Sequence, residues 1–202
     1  MRRILYLFTG LAFFGLAACG GGGGGSGIDP RLARLDGYAA QKVRVLGDPE
    51  AGVPSMAQTA PAAVPTTGST QFTGAGSILI ALPDRTLALY GDASLSVDFG
   101  QGTAQGQIAQ VFGQTASGAI ADYAGTVALI GEVAEASLLL DYFGSLTGPN
   151  SAFGLEGQLE AALLGQAADA LAGGDIEAQI DDGGVTRDGV VLVYAEAVEV
   201  SP

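Results

Sequence analysis

Histidine and tryptophan are absent from this 202-residue chain, and cysteine (Cys19) and lysine (Lys42) each occur once. Without histidine, a Ser-His-Asp triad, a His-ligated zinc site and an imidazole proton shuttle are excluded. A single cysteine excludes an intramolecular disulfide, so packing must stabilise the fold. Eight basic residues against 21 acidic ones give a formal net charge of −13. This balance argues against nucleic-acid binding, which needs clustered lysine and arginine side chains.

The N-terminus has the pattern of a bacterial lipoprotein signal peptide, which we assign to residues 1–18. Arg2 and Arg3 precede an uncharged apolar run that ends Leu16-Ala-Ala-Cys19. The run is shorter than the ~20 residues that span a bilayer, but it suits the apolar core of a secretory signal. Its end is similar to a lipobox, in which Cys19 is the lipid attachment site. Residues 19–27 are then a glycine-rich tether with nothing to bury.

The residue after Cys19 bears on where the lipidated protein goes. Gly20 stands where an aspartate often retains lipoproteins in the inner membrane of Gram-negative bacteria. By analogy with that sorting rule, we expect the outer membrane. The alternative to lipidation at Cys19 is an ordinary signal peptide with a chance cysteine.

Residues 28–68 are predicted to hold a short helix and an extended linker. Apolar residues recur at helical spacing from Arg31 to Leu46, with Asp29-Pro30 as a start signal and Gly47 as a stop. The helix has two interpretations: its basic side faces anionic lipid, or it docks on the main domain. Residues 53–68 hold three prolines among alanine, threonine and serine, which predicts an extended linker of roughly 50 Å.

Residues 69–202 show the period-two alternation of amphipathic strands. Between Ala93 and Phe99, for example, Leu95 and Val97 share a face with Phe99, while serine and aspartate occupy the other. Such runs recur between glycine turns, which predicts an all-β fold: a single eight-stranded antiparallel β-barrel, closed without exposed edges. The predicted strands are 70–82, 86–99, 102–112, 125–134, 137–147, 151–164, 175–181 and 189–199.

The alternation also predicts which side chains fill the barrel. The apolar face, which we expect inside, includes Leu95, Val97, Leu155, Leu159 and Ile176. The opposite, polar face carries Asp98, Glu132, Asp141, Glu156, Glu160 and Glu177. An eight-stranded barrel is just wide enough for its own side chains. We therefore expect a packed core rather than a ligand cavity, with binding left to the loops and the outer face.

No pattern in the chain points to catalysis, a metal or a cofactor. Glu156 and Glu160 lie four residues apart on one strand, about 13 Å, beyond the ~6.5–9.5 Å of inverting glycosidases. The stretch Asp181-Asp-Gly-Gly184 lacks the register of a calcium loop and is typical of a hairpin turn. Haem would need a tyrosine ligand, and we expect the barrel's tyrosines to be core or rim aromatics. The sequence thus predicts a protein that is not an enzyme.

Three stretches of the barrel region carry turn and strand motifs. Thr67 to Gly74 has the form Ser-Gly-x-x-x-Tyr-x-Gly, with threonine first and phenylalanine for tyrosine. Gly91 to Gly106 contains Val-Asp-Phe-x-x-Gly-Thr-x-x-Gly, and Ala162 to Gly174 is like Gly-x-Phe-Tyr-Gly-Pro-x-Ala-x-Glu-x-Gly-Gly. With the lipobox and the polyglycine tract, these stretches resemble transferrin-binding protein B and related surface lipoproteins such as factor H-binding protein.

That resemblance implies a rigid barrel on an outer-membrane lipoprotein at the cell surface, anchored through lipidated Cys19. It implies binding of a macromolecular partner or nutrient carrier, such as a host or environmental protein, and we expect a monomer. The transferrin receptor component has two lobes, each with a handle domain, whereas this chain has one barrel, so transferrin itself is not implied. The alternative is a periplasm-facing structural lipoprotein of the envelope without a soluble ligand.

Overall fold

Eight antiparallel strands form a closed barrel with one helix outside it in the computed structural model, which describes residues 29–115 and 117–198. Each strand pairs with the next along the chain, and β1 pairs with β8 to close the barrel. The predicted all-β, eight-stranded antiparallel barrel is confirmed. The signal peptide, Cys19 and the glycine-rich tether lie outside the described residues. The strands are β1 (Ser69–Ala81), β2 (Thr86–Asp98), β3 (Thr103–Gln114), β4 (Ile120–Ala134), β5 (Ser137–Thr147), β6 (Ala152–Leu164), β7 (Ala170–Asp182) and β8 (Val185–Ala197).

The barrel interior is a single apolar core. Of the residues expected inside, Leu95, Val97, Leu155 and Leu159 are all buried. Their strands alternate buried and more exposed positions in β2 and β6, as period-two side-chain orientation requires. The core also contains aromatic side chains, among them Phe72 and Phe153. The predicted packed core is therefore present.

One predicted core residue, Ile176, is on the outside, with 51% of its surface exposed. The pairing of β7 with β8 shifts between Asp175 and Ala178, so Ile176 and Glu177 together form a bulge. The bulge reverses the phase of the alternation. Asp175, expected on the polar face, pairs with the core residue Val191, and its carboxylate accepts a 2.8 Å hydrogen bond from the hydroxyl of Tyr142. Extending the period through this point was wrong because a bulge adds a residue to one strand only.

The helix α1 (Pro30–Leu46) has the ends that the sequence predicts. The Asp29 side chain accepts from the backbone N–H of Arg31, Pro30 occupies the first turn, and Gly47 caps the end with φ 74°. No helix among the described residues combines the length and hydropathy needed to cross a bilayer.

Residues 53–68, predicted to be an extended linker, lie against the barrel instead of reaching away from it. The backbone N–H of Thr59 donates to the carbonyl of Leu163 (2.9 Å), and Gly165 donates to Ala57 (2.8 Å). The Thr59 side chain is buried and donates to the Gly165 carbonyl at 3.0 Å. Prolines do keep most of the segment extended, but its polar backbone groups find partners on β6 and the following turn, so the segment is fixed to the barrel.

Candidate functional site

Packed apolar side chains and hydrogen-bonded polar groups fill the barrel interior, as far as the described residues show. Among the described residues, every buried side-chain nitrogen or oxygen has a hydrogen-bond partner. The core is filled by large, fully buried side chains, with Tyr142 among them. Tyr142 is itself satisfied by Asp175, and burial together with this hydrogen bond raises its pKa. A ligand would have to displace packed apolar side chains, so any functional site belongs on the outside.

One side of the outer surface is covered by α1. Tyr38 and Val45 of the helix are buried in a second apolar cluster, outside the barrel wall, with Ala75, Ala172 and Tyr194. The small side chains of Ala75 on β1 and Ala172 on β7 allow the helix to approach the sheet closely. The cluster fixes α1 across β7, β8 and β1. The docked interpretation of the helix is the one the structure shows.

A hydrogen-bonded group around Tyr38 joins the helix to β2. The Tyr38 hydroxyl donates to the Asp92 carboxylate and accepts from the Arg34 guanidinium, which also pairs with Asp92 at 3.0 Å. Burial, followed by the hydrogen bond to Asp92, raises the pKa of Tyr38 to about 12. The Arg34 guanidinium lies 4.9 Å from the centre of the Phe112 ring. The tyrosine therefore stays protonated and holds the middle of the helix on the wall.

Ion pairs hold both ends of the helix as well. At the N-terminus, Arg31 contacts Asp29 and, at 3.3 Å, Asp122 of β4. The hydrogen bond from Arg31 lowers the pKa of Asp29 to about 2. At the C-terminus, Arg44 donates to both carboxylate oxygens of Glu196, at 2.9 and 2.6 Å. The helix arginines therefore pair with carboxylates at the start of the helix and on the barrel surface.

The Glu196–Arg44 pair predicts a pH dependence of stability. Hydrogen bonding from Arg44 lowers the pKa of Glu196 below its ordinary value of 4.5. A carboxylate with a lowered pKa contributes its stability in full above the unfolded value and loses it as the pH falls through the folded value. Because Arg44 is 58% exposed, solvent screens the pair, and we expect Glu196→Gln to cost only about 0.5–1 kcal/mol at neutral pH. Urea unfolding of the unaltered chain and of the Glu196→Gln variant should show this difference shrink and then vanish as the pH falls well below 4.5. A difference that persisted there would mean that charge is not its cause.

The wall that α1 leaves open lies on β4, β5 and β6, half-way round the barrel from β8 and β1. Two large apolar side chains stand out from it: Ile130 is 51% exposed and Phe143 is 47% exposed. Ile130 pairs with Asp141 across β4 and β5, and Phe143 pairs with Glu156 across β5 and β6. Apolar and acidic side chains are thus immediate neighbours on this wall.

A shallow depression of about 400 Å³ borders the wall on its β3 side. Ile130 and Ala128 form one edge. The remaining outward side chains are uncharged amides and hydroxyls: Gln71, Ser94, Ser96, Gln105 and Gln107. The depression is open to solvent and continues the wall as a polar surface.

The hairpin connections contribute less surface than the sequence led us to expect. The turn between β7 and β8 is only Gly183-Gly184, and both residues have positive φ, 62° and 91°. At the same end, Arg85 donates to the Thr115 carbonyl at 2.7 Å, and Arg187 pairs with Asp182 at 3.1 Å. The first contact joins the β1–β2 turn to the β3–β4 connection, and the second closes the β7–β8 hairpin. The wall therefore offers a broader exposed face than these turns.

The remaining sequence candidates behave as structural elements. Glu156 and Glu160 are exposed on the outer face of β6 and make no acid pair across a cleft. Asp181 accepts from the backbone N–H of Gly184 at 2.6 Å, as the hairpin interpretation predicts. Among residues 29–115 and 117–198, no three histidine, cysteine, aspartate or glutamate side chains are grouped to hold a metal ion. Ile130 and Phe143 were missed, although both occupy the polar phase of their strands, and that signal could have found them.

The chain has similarity to solved structures that contain a β-barrel. A mutant of the vaccine antigen transferrin-binding protein B from Haemophilus parasuis Hp5 shares 13% identity and a TM-score of 0.48, over 69% of this chain and 28% of that one. Isotype 1 transferrin-binding protein B from serogroup B Neisseria meningitidis shares 14% identity and a TM-score of 0.46, over 72% and 28%.

This chain spans only 28% of the length of those proteins. What is shared at such identities is the barrel, so inferences about function must come from this chain's own surface. No family model matches the sequence, and no curated protein matches it.

Proposed function

We propose that the chain is an outer-membrane-anchored surface lipoprotein whose rigid barrel binds a macromolecular partner or nutrient carrier through its outer face and loops. The observation that carries this proposal is the contrast between the two faces of the barrel wall. The inside is closed, packed and fully hydrogen-bonded, whereas β4 to β6 present Ile130 and Phe143 to solvent among carboxylates. Exposed large apolar side chains surrounded by polar ones are typical of protein interaction sites.

The packing of the N-terminal segment supports the platform role. α1 and residues 53–68 both contact the barrel, so the helix, this segment and the barrel pack together. With Cys19 as the proposed anchor, only residues 19–28 separate the lipid from the helix. At ~3.3–3.6 Å per residue, ten residues span at most on the order of 35 Å, so the barrel can lie beyond the lipid headgroups.

Cys19 is the residue on which the attachment depends. We expect Cys19→Ala to release the protein from the membrane fraction or to leave its precursor unprocessed, because alanine has no thiol to receive a lipid. Fractionation of cells that express each version, followed by immunoblotting, measures this directly. The same membrane content in both versions would exclude lipidation at Cys19.

Surface display separates this proposal from the periplasm-facing structural alternative. Antibodies against the barrel should label intact cells, and treatment of those cells with proteinase K should remove the label. A periplasmic marker protein, protected in the same cells, is the control. Labelling that requires permeabilised cells would instead favour the structural role.

A further inference from the structure

The carboxylates of the barrel are not balanced evenly by its basic residues. No lysine or arginine occurs between Arg85 and Arg187, a stretch that includes all of β2 to β7. The arginines of α1 pair with Asp92, Asp122 and Glu196. Compensation therefore lies on the helix side and at the barrel ends, where Arg31 reaches Asp122 near the start of β4. No basic residue lies on β4 to β6 themselves.

The strand register orders this wall into rows. In one row, Ala128 pairs with Phe143, which pairs with Glu156; in the next, Ile130 pairs with Asp141. Ile130 and Phe143 are thus diagonal neighbours across β4 and β5, close enough for their side chains to form one apolar surface. We call these two residues, with Asp141 and Glu156 beside them, the acidic wall.

The next row extends the same arrangement. Glu132 pairs with Leu139, and Leu139 pairs with Glu160. Leu139 is partly buried, while both glutamates are exposed. The apolar surface therefore has carboxylates along two of its sides, which is the order found at protein interfaces: an apolar centre with a polar rim.

Charge decides what can cover such a surface. A second copy would bring its own carboxylates against these, and like charges across an interface oppose association. Anionic lipid and nucleic acid are repelled for the same reason. A partner with lysine or arginine around an apolar residue would satisfy both features, because its cations meet the rim and its apolar group meets Phe143.

We propose that the acidic wall is the docking face for a basic protein, which places an aromatic or branched aliphatic side chain between Ile130 and Phe143 and its cations on the flanking carboxylates. This assignment rests on the proposed binding function and names the face and the chemistry of the partner. Aromatic anchors dominate the binding free energy at such interfaces, and rim charges mainly raise the association rate.

The test uses a library of random peptides displayed on phage, selected against the full-length chain in detergent at about 50 mM salt. We expect the enriched peptides to carry net positive charge and an aromatic or branched aliphatic residue. Synthetic copies should lose about tenfold or more in affinity for Phe143→Ser, for Ile130→Ser and for the double variant Asp141→Asn/Glu156→Gln. Their affinity should also fall steeply when the salt is raised to about 500 mM, because exposed charges are then screened.

Matched controls change the same chemistry elsewhere on the surface. Val185→Ser removes an exposed apolar side chain at the barrel end, and Asp84→Asn/Glu135→Gln removes two charges outside the wall. Both controls should bind the peptides as the unaltered chain does. Circular dichroism of each variant verifies that the barrel is intact.

Three results would overturn the assignment. The first is no enrichment, or enrichment of neutral or acidic peptides. The second is binding that the controls weaken and the wall variants leave unchanged; this would leave surface binding in place but move it off the wall. The third is a dimer in sedimentation experiments that dissociates on Phe143→Ser, which would make a second copy the occupant. Lipidation and surface display are measured separately, so their failure would be recognised as failure of the proposed function itself.

Discussion

Replacing Gly131 with alanine is expected to destabilise the barrel by about 3 kcal/mol or more, above the usual cost of overpacking. A Cβ atom at this position would lie 1.9 Å from the carbonyl oxygen of Leu139 and 2.9 Å from the Cα of Leu140. Both atoms belong to the backbone of the paired strand β5, so no side-chain rotation relieves the contact. The strands must separate, which weakens the hydrogen bonds between them. Urea unfolding followed by circular dichroism measures the loss.

The matched control is the same substitution at Gly37 in α1. A Cβ there meets nothing within 4 Å, so Gly37→Ala should stabilise the chain by up to about 1 kcal/mol through helix propensity alone. Equal effects at the two positions would contradict the close approach of β4 and β5. Gly131 pairs with Leu140 in unbroken register, so what the missing side chain permits is close contact between the two backbones.

Leu159→Ala is expected to lower the free energy of unfolding by about 2–5 kcal/mol. Leu159 is 1% exposed, lies in the barrel core and pairs with the buried Leu140. Its neighbours are held in a closed sheet and cannot collapse into the space left behind, so the cavity remains. The thermal and urea midpoints of the full-length chain in detergent provide the measurement.

Glu156→Gln, three residues away on the outer face, is the control for this loss. We expect it to change the free energy of unfolding by no more than about 0.5 kcal/mol, because the side chain is exposed. If the barrel held a small ligand instead, lipids, haem or siderophores should raise the thermal midpoint markedly. Such a shift, together with little cost from Leu159→Ala, would refute the packed platform. Stability unchanged by Glu156→Gln also makes that variant suitable for measuring binding.

The sequence predicted the carboxylates of the acidic wall but not its two apolar residues. Period-two alternation placed Asp141, Glu156 and Glu160 on the polar face, where the structure has them. It also places Ile130 and Phe143 in that polar phase, against their hydropathy. Which strands lie beside one another in register is a tertiary property, and only the pairing of β4, β5 and β6 shows that these residues form one surface.

The sequence alone determined those elements whose signals are local. Alternation in β2 and β6 predicted their faces, because neighbouring side chains of a strand point to opposite sides whatever the strand pairs with. The start and end of α1 follow likewise from Asp29, Pro30 and Gly47, which act within one turn of the helix. The number of such strands, each with one apolar face, was enough to predict closure.

Where the local alternation is absent, only the tertiary structure decided the strand bounds and contacts. β7 begins at Ala170, whereas the sequence predicted a start at residue 175. The prediction missed residues 170–173 because all four are buried, between the barrel core on one side and α1 on the other. A strand covered on both faces has no alternation to detect. The bulge at Ile176 depends on the register of β8, and the docking of α1 depends on pairs such as Arg44 with Glu196, distant in sequence. Periodicity describes one strand at a time, whereas these features arise only when the closed barrel brings distant segments together.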